Sequence, residues 1–332
     1  MPLPSFVSLS REVAQALSAD TPVVALESTV ITHGLPYPEN LQLAQNMERT
    51  VREHGATPAT IAILDGKVYI GLNTTQLERL AQGKARRKIS VRDFAPAIVQ
   101  KAIGGTTVAG TLAAAHIAGL RVFATGGIGG VHRQVTAGIE HPAGIEHPAG
   151  IEHPAGISYP IDISTDLTQL ARTPLVVVCA GAKAILDLPA TLEMLETLGV
   201  PVLGYQSDEF PAFYSRRSGL PVSARAETPQ EIAKIAQTHW QMGFNSAVLV
   251  ANPPPEEHAL SPDVVDGAIQ QALEEAQARS LRGQGVTPFL LMRVSELTGG
   301  DSLRANLALL LNNARLAAQI ACVLPRVKQR TV

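Results

Sequence analysis

Short runs of consecutive, mostly apolar residues recur along the chain, each followed by a segment with helical periodicity, and this alternation limits the folds open to it. Residues 22–26, 174–179 and 246–250 are such runs. Because they lack alternating polar residues, they are typical of strands buried on both faces of a sheet. Strands that alternate with helices predict a mostly parallel sheet covered by helices on both sides. The expected fold class is therefore α/β, a layered α/β/α domain.

The same patterns indicate the domain organisation. Helices are predicted over residues 38–54, 107–119, 189–198 and 229–242. The pair Asp65–Gly66 between two apolar runs indicates a hairpin with a type I′ turn. From Ser261 onward the chain is predicted to be essentially all helix, with breaks at Gly283 and Gly299–Gly300. Because no linker-like stretch interrupts the pattern, residues 1–332 are expected to form a single domain with a helical C-terminal segment.

The composition excludes several classes of function. Hydrophobic residues make up 45% of the chain and charged residues 17%, against about 25% charged in an average soluble protein, so a large core, an oligomer interface or both are expected. A net charge of -2 and an aromatic content of 4% argue against a nucleic-acid partner. The most apolar stretch, residues 108–131, is broken by His116, Arg121 and six glycines, so a membrane span is not expected.

The cysteines and the N-terminus bear on the compartment. The two cysteines, Cys179 and Cys322, are too few for a disulfide framework or a zinc cluster, and reduced thiols are typical of the cytosol. Residues 1–17 lack the basic and apolar regions of a signal peptide. A cytoplasmic protein is therefore expected.

One segment repeats a hexapeptide. Gly-Ile-Glu-His-Pro-Ala begins at residues 138, 144 and 150, and a diverged copy begins at 156. One interpretation is a metal site formed by the repeated histidines, since His-rich tracts can bind metal. The other is a tandem duplication that lengthens a surface loop at about 137–160. We favour the second, because each histidine precedes a proline and is therefore biased towards extended backbone.

Glu27 is the first residue that could carry chemistry. It follows directly on the apolar run 22–26, where a carboxylate loses hydration and its pKa is expected to rise. A carboxyl group of that kind can serve as a general acid. Ligands of open α/β sheets collect at the carboxyl ends of the strands, which favours a functional role. The alternative is a structural carboxylate that bonds to the loop 29–34.

Lys183 is the second such residue. It lies just after the apolar run 174–179, and no acidic residue stands between Asp166 and Asp187. A lysine in an apolar pocket can act as a nucleophilic amine, although an ordinary lysine that reaches solvent remains an equal alternative on these residues alone. Cys179 is a rival nucleophile, but its neighbours predict an inert buried thiol.

Two further segments contain polar groups suited to ligands. Residues 162–166 place two carboxylates and two hydroxyls within five residues, a set that suits Mg²⁺ or Mn²⁺. A helix cap at Ser164 or Thr165 explains the same residues and is the favoured interpretation, although both can be true. Residues 104–107 are predicted to open the Ala-rich helix, where a phosphate could bind, although a plain helix start is favoured on the spacing alone. The glycines of residues 126–130 match no dinucleotide-binding fingerprint.

Taken together, eight blocks of this sequence resemble the pseudouridine-5′-phosphate glycosidase family, also called pseudouridylate synthases. The blocks run in the family's order across nearly the whole chain, which makes a chance match improbable. They are residues 25–36, 88–93, 105–109, 125–133, 162–167, 179–183, 204–213 and 296–300.

The resemblance implies a function and a site. The reaction would be reversible cleavage of the carbon–carbon glycosidic bond of pseudouridine 5′-phosphate, which yields uracil and ribose 5-phosphate. Lys183 matches the lysine that attacks the sugar C1′ and forms an imine with the opened sugar, Glu27 the acid that protonates the ring oxygen, and Asp162 the ligand of one Mn²⁺ per subunit. The matched substrate-contacting positions are Lys88, Val108, Ser164, Thr165 and Asp166. The family resemblance also implies a homotrimer.

The sequence departs from the family pattern in the hexapeptide expansion between Arg133 and Asp162, where a shorter connection is expected. Two other functions stay open. One is a Schiff-base lyase or aldolase that uses Lys183 on another sugar phosphate. The other is a non-catalytic relative, against which the presence of Glu27, Lys183 and Asp162 argues.

Overall fold

The computed structural model of the chain describes residues 3–83, 86–133, 162–279, 281 and 286–325, apart from the side chains of residues 287 and 288. Within them the strands are β1 (Val7–Leu9), β2 (Val23–Leu26), β3 (Thr57–Leu64), β4 (Lys67–Ile70), β5 (Arg87–Ile89), β6 (Gly104–Thr106), β7 (Val122–Ala124), β8 (Val131–His132), β9 (Val176–Cys179), β10 (Leu186–Asp187), β11 (Val202–Tyr205), β12 (Ala224–Ala226) and β13 (Val248–Ala251). The helices are α1 (Arg11–Ser18), α2 (Glu39–Glu53), α3 (Thr74–Gln82), α4 (Phe94–Val99), α5 (Val108–Ile117), α6 (Thr165–Leu170), α7 (Leu188–Thr197), α8 (Pro229–Gln241), α9 (Pro262–Ala278), α10 (Val286–Leu297) and α11 (Asp301–Val323). Short helical turns cover Val30–Gly34, Val91–Asp93 and Glu256–His258.

The central sheet has the strand order β1-β4-β3-β2-β7-β9-β13-β11-β12. From β3 to β12 along this order every pair of neighbours is parallel, whereas β4 pairs antiparallel with β3. Strand β6 pairs with both β3 and β5, while β8 and β10 form a separate pair. The predicted mostly parallel sheet is thus confirmed.

Every residue of β2 and of β9 is buried, so both faces of these central strands are covered. The long C-terminal helix α11 packs across β2, β7 and β9 and contacts α2 and α8. Helix α5 contacts β2, β3 and α6. The α/β class and the helical C-terminal segment are as expected from the apolar runs and the periodicity.

Local signals in the sequence account for several element boundaries. Ser10 accepts a hydrogen bond from the Val13 amide and caps α1. Asp65 and Gly66 have φ of 51° and 76°, as a type I′ turn requires. The predicted break at Gly299–Gly300 is confirmed by two left-handed residues. Gly283 and the hexapeptide repeat lie outside the described residues, so their predictions stay untested.

The prediction that residues 104–107 open the Ala-rich helix is wrong in part. Gly104–Thr106 is strand β6, and α5 begins only at Val108, capped by the Thr107 hydroxyl. A Cβ on Gly105 would stand 2.4 Å from Thr32 Oγ1 and 2.6 Å from the Ser28 carbonyl oxygen. These glycines therefore allow a strand to lie close to the chain after β2, which is a packing role.

Among the described helices, none is both long enough and apolar enough to cross a membrane.

Candidate active site

A cavity of about 320 Å³ lies at the carboxyl ends of the central parallel strands, the edge of the sheet at which ligands of α/β folds collect. Three charged residues of the predicted site, Glu27, Lys88 and Lys183, line it together. The other lining residues are Thr29, Val30, His33, Gly34, Leu35, Pro36, Gly126, Phe213, Tyr214, Leu291, Met292, Ser295, Glu296, Ser302, Leu303, Asn306 and Leu310. Most of the surface of this wall is apolar, so apolar side chains surround the charged groups.

Glu27 follows β2 and is almost fully buried. The Thr125 hydroxyl, at the end of the neighbouring strand β7, donates a hydrogen bond to Glu27 Oε1. Burial raises the pKa of Glu27 above its ordinary value, while the positive charge of Lys183 and the bond from Thr125 lower it by less. The expected rise is confirmed, but the hydrogen-bond partner is Thr125 and not the loop 29–34.

Lys183 lies in the segment after β9, and backbone hydrogen bonds join this segment to residues 126–128. Its amide donates to the Ile128 carbonyl at 3.0 Å, and the Ile128 amide donates to Gly181 at 3.1 Å. The Ala180 amide donates to Gly126 at 2.9 Å. Gly181 has a φ of 90°, which a side chain would disfavour. These hydrogen bonds hold the segment after β9 against the segment after β7, and so bring Lys183 to the cavity that Glu27 lines.

Lys88 extends from β5 and is half-buried. Burial and the charge of Lys183 lower its pKa, whereas Asp166 and Glu27 raise it by less. His33 reaches the cavity from the turn Val30–Gly34, and its Nδ1 lies 2.7 Å from the Thr32 hydroxyl. Burial and the charge of Lys88 lower the pKa of His33, which favours a neutral imidazole.

Cys179 is not a rival nucleophile. It ends β9 with no exposed surface, and burial raises the pKa of its thiol to about 12. Because only the thiolate reacts readily, this cysteine is inert near neutral pH. The prediction of an inert buried thiol is confirmed.

Phe213 has a strained backbone beside the cavity. Its φ of 62° lies in the left-handed region, which costs a bulky residue about 1–3 kcal/mol. Its amide donates to the Ala180 carbonyl at 3.1 Å, and its ring occupies the space where a Cβ on Gly127 would stand, 2.6 Å from one ring atom. The ring thus wedges against the loop that holds Lys183. The sequence offered no signal for this role.

The other predicted site residues lie outside the lining of this cavity. Asp162, Ser164, Thr165, Asp166 and Val108 surround the far side of the loop 126–130. The Ser164 amide donates to the Gly130 carbonyl at 3.0 Å, and a Cβ on Gly129 would stand 2.3 Å from Ser164 Oγ. A thin glycine-rich wall therefore separates the two groups of residues.

Asp166 is buried, and both of its oxygens accept backbone hydrogen bonds. The Ala109 amide donates to Oδ1 and the Gly129 amide to Oδ2, each at 2.8 Å. Ser164 caps α6 by accepting from the Asp166 amide at 3.2 Å, so the predicted cap is confirmed. Asp166 thus holds the start of α5 against the loop 126–130, a structural task that exists whether or not it also meets a substrate.

Asp162 is exposed over 70% of its side chain, and its Oδ2 lies 3.9 Å from His132 Nε2. No cluster of three or more His, Cys, Asp or Glu side chains suited to a metal occurs in the part of the chain that the structure describes. A single exposed carboxylate beside an imidazole fits a hard cation that keeps most of its water ligands. It does not fit an ion held mainly by protein.

The chain is similar to known proteins over almost its whole length. A family model described as Indigoidine synthase A like protein matches residues 12–323. A pseudouridine-5′-phosphate glycosidase of Geobacillus kaustophilus is 51% identical over 95% of this chain and 98% of its own. The protein of the same name from Staphylococcus aureus is 47% identical over 96% and 97%.

Two solved structures share the fold. The crystal structure of a prealnumycin C-glycosynthase in complex with ribulose 5-phosphate superposes with a TM-score of 0.83, is 38% identical and covers 97% of both chains. An indigoidine synthase A-like protein of Thermotoga maritima superposes with a TM-score of 0.79, is 34% identical and covers 95% of both chains. The eight sequence blocks and these full-length similarities agree, and the chain belongs to the pseudouridine-5′-phosphate glycosidase family, whose model carries the indigoidine synthase A-like description.

Proposed function

We propose that the protein reversibly cleaves the carbon–carbon glycosidic bond of pseudouridine 5′-phosphate to give uracil and ribose 5-phosphate. The observation that carries this proposal is the placement of a buried Glu27, whose pKa is raised, and Lys183 in one mostly apolar cavity. The names of the relatives support the substrate.

The bond to be broken explains why an amine is needed. An ordinary glycosidase protonates a heteroatom of the leaving group and uses two carboxylates. A carbon–carbon glycoside has no such heteroatom, and the electron pair of the broken bond stays with uracil C5, which takes up a proton. The positive charge left at C1′ must then be stabilised from the sugar side. An amine bonded to C1′ does this, because its nitrogen lone pair forms a C1′=N imine as the bond to C5 breaks.

The residues then take the following roles. Glu27 gives its proton to the ring oxygen as the bond from that oxygen to C1′ breaks, and the nitrogen of Lys183 bonds to C1′ through its lone pair. The bond from C1′ to uracil C5 next breaks, which leaves the imine on Lys183 while C5 takes up a proton. Water hydrolyses the imine and releases ribose 5-phosphate and the free lysine, so the net reaction consumes one water.

The lining of the cavity suits the base. Leu291, Leu303 and Leu310 offer apolar surface to a flat ring, and the amide of Asn306 offers both a donor and an acceptor to the uracil imide. The phosphate is proposed to bind towards Lys88, Val108, Ser164, Thr165 and Asp166. Val108 is the first residue of α5, and a helix N-terminus favours an anion.

We propose that Asp162 holds one divalent ion, Mn²⁺ or a similar hard cation, through a single carboxylate and water. Such an ion supplies positive charge that balances the phosphate. The exposed position of Asp162 supports this hydrated mode of binding.

We also propose a cytoplasmic homotrimer. The low charged fraction of the chain, together with the exposed apolar side chains of Val99, Met242 and Phe244, supports an interface between subunits. Free thiols at Cys179 and Cys322 suit a reducing compartment. Sedimentation equilibrium measures the subunit number, and a monomer would contradict the proposal.

The function is tested by incubating the protein with Mn²⁺ and pseudouridine 5′-phosphate and measuring uracil by absorbance after chromatography. A panel of other sugar phosphates run alongside distinguishes the Schiff-base lyase and aldolase alternatives. We expect uracil release from pseudouridine 5′-phosphate alone. Turnover of another sugar phosphate without uracil release would favour a lyase, and no turnover of any compound would favour a non-catalytic relative.

A further inference from the structure

We infer that Thr125 is a positioning residue for the proposed acid: its hydroxyl engages Glu27 Oε1 and thereby places the transferable proton on Oε2, the oxygen left for the substrate. This inference rests on the function proposed above. It concerns a fully buried residue that does not line the cavity.

The geometry at Glu27 leaves the two carboxyl oxygens in different surroundings. Oε1 accepts the hydrogen bond from Thr125 Oγ1. Oε2 has no hydrogen-bond partner among the described residues, while Glu27 itself lines the cavity with Lys183. A carboxylic acid carries its proton on one oxygen, and an oxygen that accepts a hydrogen bond is the poorer place for it. The bond from Thr125 therefore favours the proton on Oε2.

Thr125 is itself held by a buried polar network. Its amide donates to the Val178 carbonyl at 3.0 Å, and its carbonyl accepts from Asn313 Nδ2 at 2.9 Å. Asn252 Nδ2 in turn donates to Asn313 Oδ1 at 3.0 Å. Thr125 and Asn313 have no exposed surface, and Asn252 has 4%. Groups that are buried and fully bonded have little freedom, so the hydroxyl is fixed relative to Glu27.

The network also joins separate parts of the fold at this point. Asn313 belongs to α11, Thr125 follows β7 and Asn252 follows β13. The backbone amide of Asn252 donates to the Cys179 carbonyl at 2.8 Å, which fixes the end of β13. The acid is thus oriented by the same contacts that bring the strand ends together. A hydroxyl donor also favours the ionised carboxylate, so its loss would make Glu27 hold its proton to higher pH.

The variant Thr125→Val tests this, because valine keeps the shape and loses the hydroxyl. We expect kcat for pseudouridine 5′-phosphate to fall by about 10- to 100-fold with little change in KM, as for other groups that orient a reacting residue. We also expect the alkaline limb of the kcat/KM profile to move to higher pH. Thr125→Ser, which restores the hydroxyl, should recover both properties.

The matched control is Thr111→Val. Thr111 is as buried as Thr125, and its hydroxyl likewise bonds to one other side chain, Thr106, at 2.8 Å. The pH profile of Thr111→Val should match that of the wild type, even if the melting temperature of this variant falls. A general loss of packing would lower activity without moving the alkaline limb, so the profile separates positioning from a structural effect.

Two results would overturn the inference. One is a Thr125→Val enzyme with the wild-type kcat and the wild-type alkaline limb. The other is a Thr125→Ser enzyme as impaired as Thr125→Val, which would assign the effect to packing and not to the hydroxyl. Failure of the proposed function looks different: borohydride would then trap no adduct of ribose 5-phosphate on wild-type Lys183, whatever the Thr125 variants do, and the inference would fall with it.

Discussion

Two regions of the candidate site lie on either side of the loop 126–130 and differ in the exposure of their outer residues. On one side, Glu27 and Lys183 share a cavity with mostly apolar walls. On the other, Asp162 is largely exposed, and Thr165 at the start of α6 is exposed as well. The proposed substrate also has an uncharged base and an ionic phosphate. We call the mostly apolar cavity of Glu27 and Lys183 the dry region, and the side of the loop that holds Asp162 the wet region, although Asp166 and Val108 on that side are buried.

The wall between these regions is thin because it is made of glycine. Gly127 gives room to the Phe213 ring on one side, and Gly129 to Ser164 on the other. A side chain at either position would push one region away. The glycines that match no dinucleotide-binding fingerprint therefore have a clear role: they let a dry and a wet region approach each other closely.

The largest effect is expected in the dry region. Lys183→Ala should reduce turnover by about 1,000-fold or more, as loss of a covalent nucleophile does, while the melting temperature stays near that of the wild type. Mass spectrometry after borohydride treatment with ribose 5-phosphate should find the adduct on Lys183 of the wild type and none in Lys183→Ala. The control Lys67→Ala, at an exposed lysine of β4, should form the adduct as the wild type does. An adduct on a different lysine would refute the assignment.

Glu27→Gln should have the second largest effect on turnover. The amide keeps the shape of the side chain but cannot donate the acid's proton, so kcat should fall by about 100- to 10,000-fold while substrate still binds. Calorimetry of the variant with pseudouridine 5′-phosphate measures binding, and steady-state kinetics measures kcat. Near-normal turnover would exclude Glu27 as the acid.

Aspartates of the wet region should separate stability from metal binding. Asp166→Ala leaves the amides of Ala109 and Gly129 without their acceptor and should lower the free energy of unfolding by about 3 kcal/mol. Asp162→Ala should leave that free energy unchanged and weaken Mn²⁺ binding. Urea denaturation and calorimetric titration check the two effects. Equal unfolding free energies for both variants would contradict the structural role of Asp166.

A smaller effect concerns the stability of the dry region. Burial raises the pKa of Glu27 above 4.5, so the folded state holds this proton more tightly than the unfolded chain. Below about pH 4.5 Glu27 keeps its proton, and its burial then does not lower the free energy of unfolding through ionisation. As the pH rises from there through the pKa of Glu27 in the folded protein, the free energy of unfolding falls. Glu27→Gln removes this loss, so its melting temperature should gain on that of the wild type as the pH rises. A difference that is constant from about pH 4 to pH 8 would contradict a buried, neutral Glu27.

The smallest effect is expected for the hexapeptide repeat. Removal of residues 144–155 deletes two copies that a neighbouring copy duplicates, and the closure entropy of a loop changes little with its length. Fold and turnover should largely persist, with at most a modest change in Mn²⁺ affinity because the segment leads into Asp162. Complete loss of turnover, or a new oligomer in sedimentation, would place the repeat in the site or at the interface.

Several features were accessible from the sequence because their causes are local. The buried strands β2, β9 and β13 follow from uninterrupted apolar runs, the hairpin from Asp65–Gly66, and the start of α6 from the cap at Ser164. The raised pKa of Glu27 also follows from its place at the end of an apolar strand. In each case a few neighbouring residues contain the whole physical reason.

The remaining features depend on contacts between distant parts of the chain. Strands β1 and β6 have three residues each, too few to show a period, and exist because β4 and β3 offer them free edges. Thr125 is 98 residues from Glu27 in sequence, and Asp166 is 57 from Ala109. No local pattern encodes such pairs. The sequence determined which residues would be buried and which would be charged, and only the packing of helices on the sheet decided which of them meet.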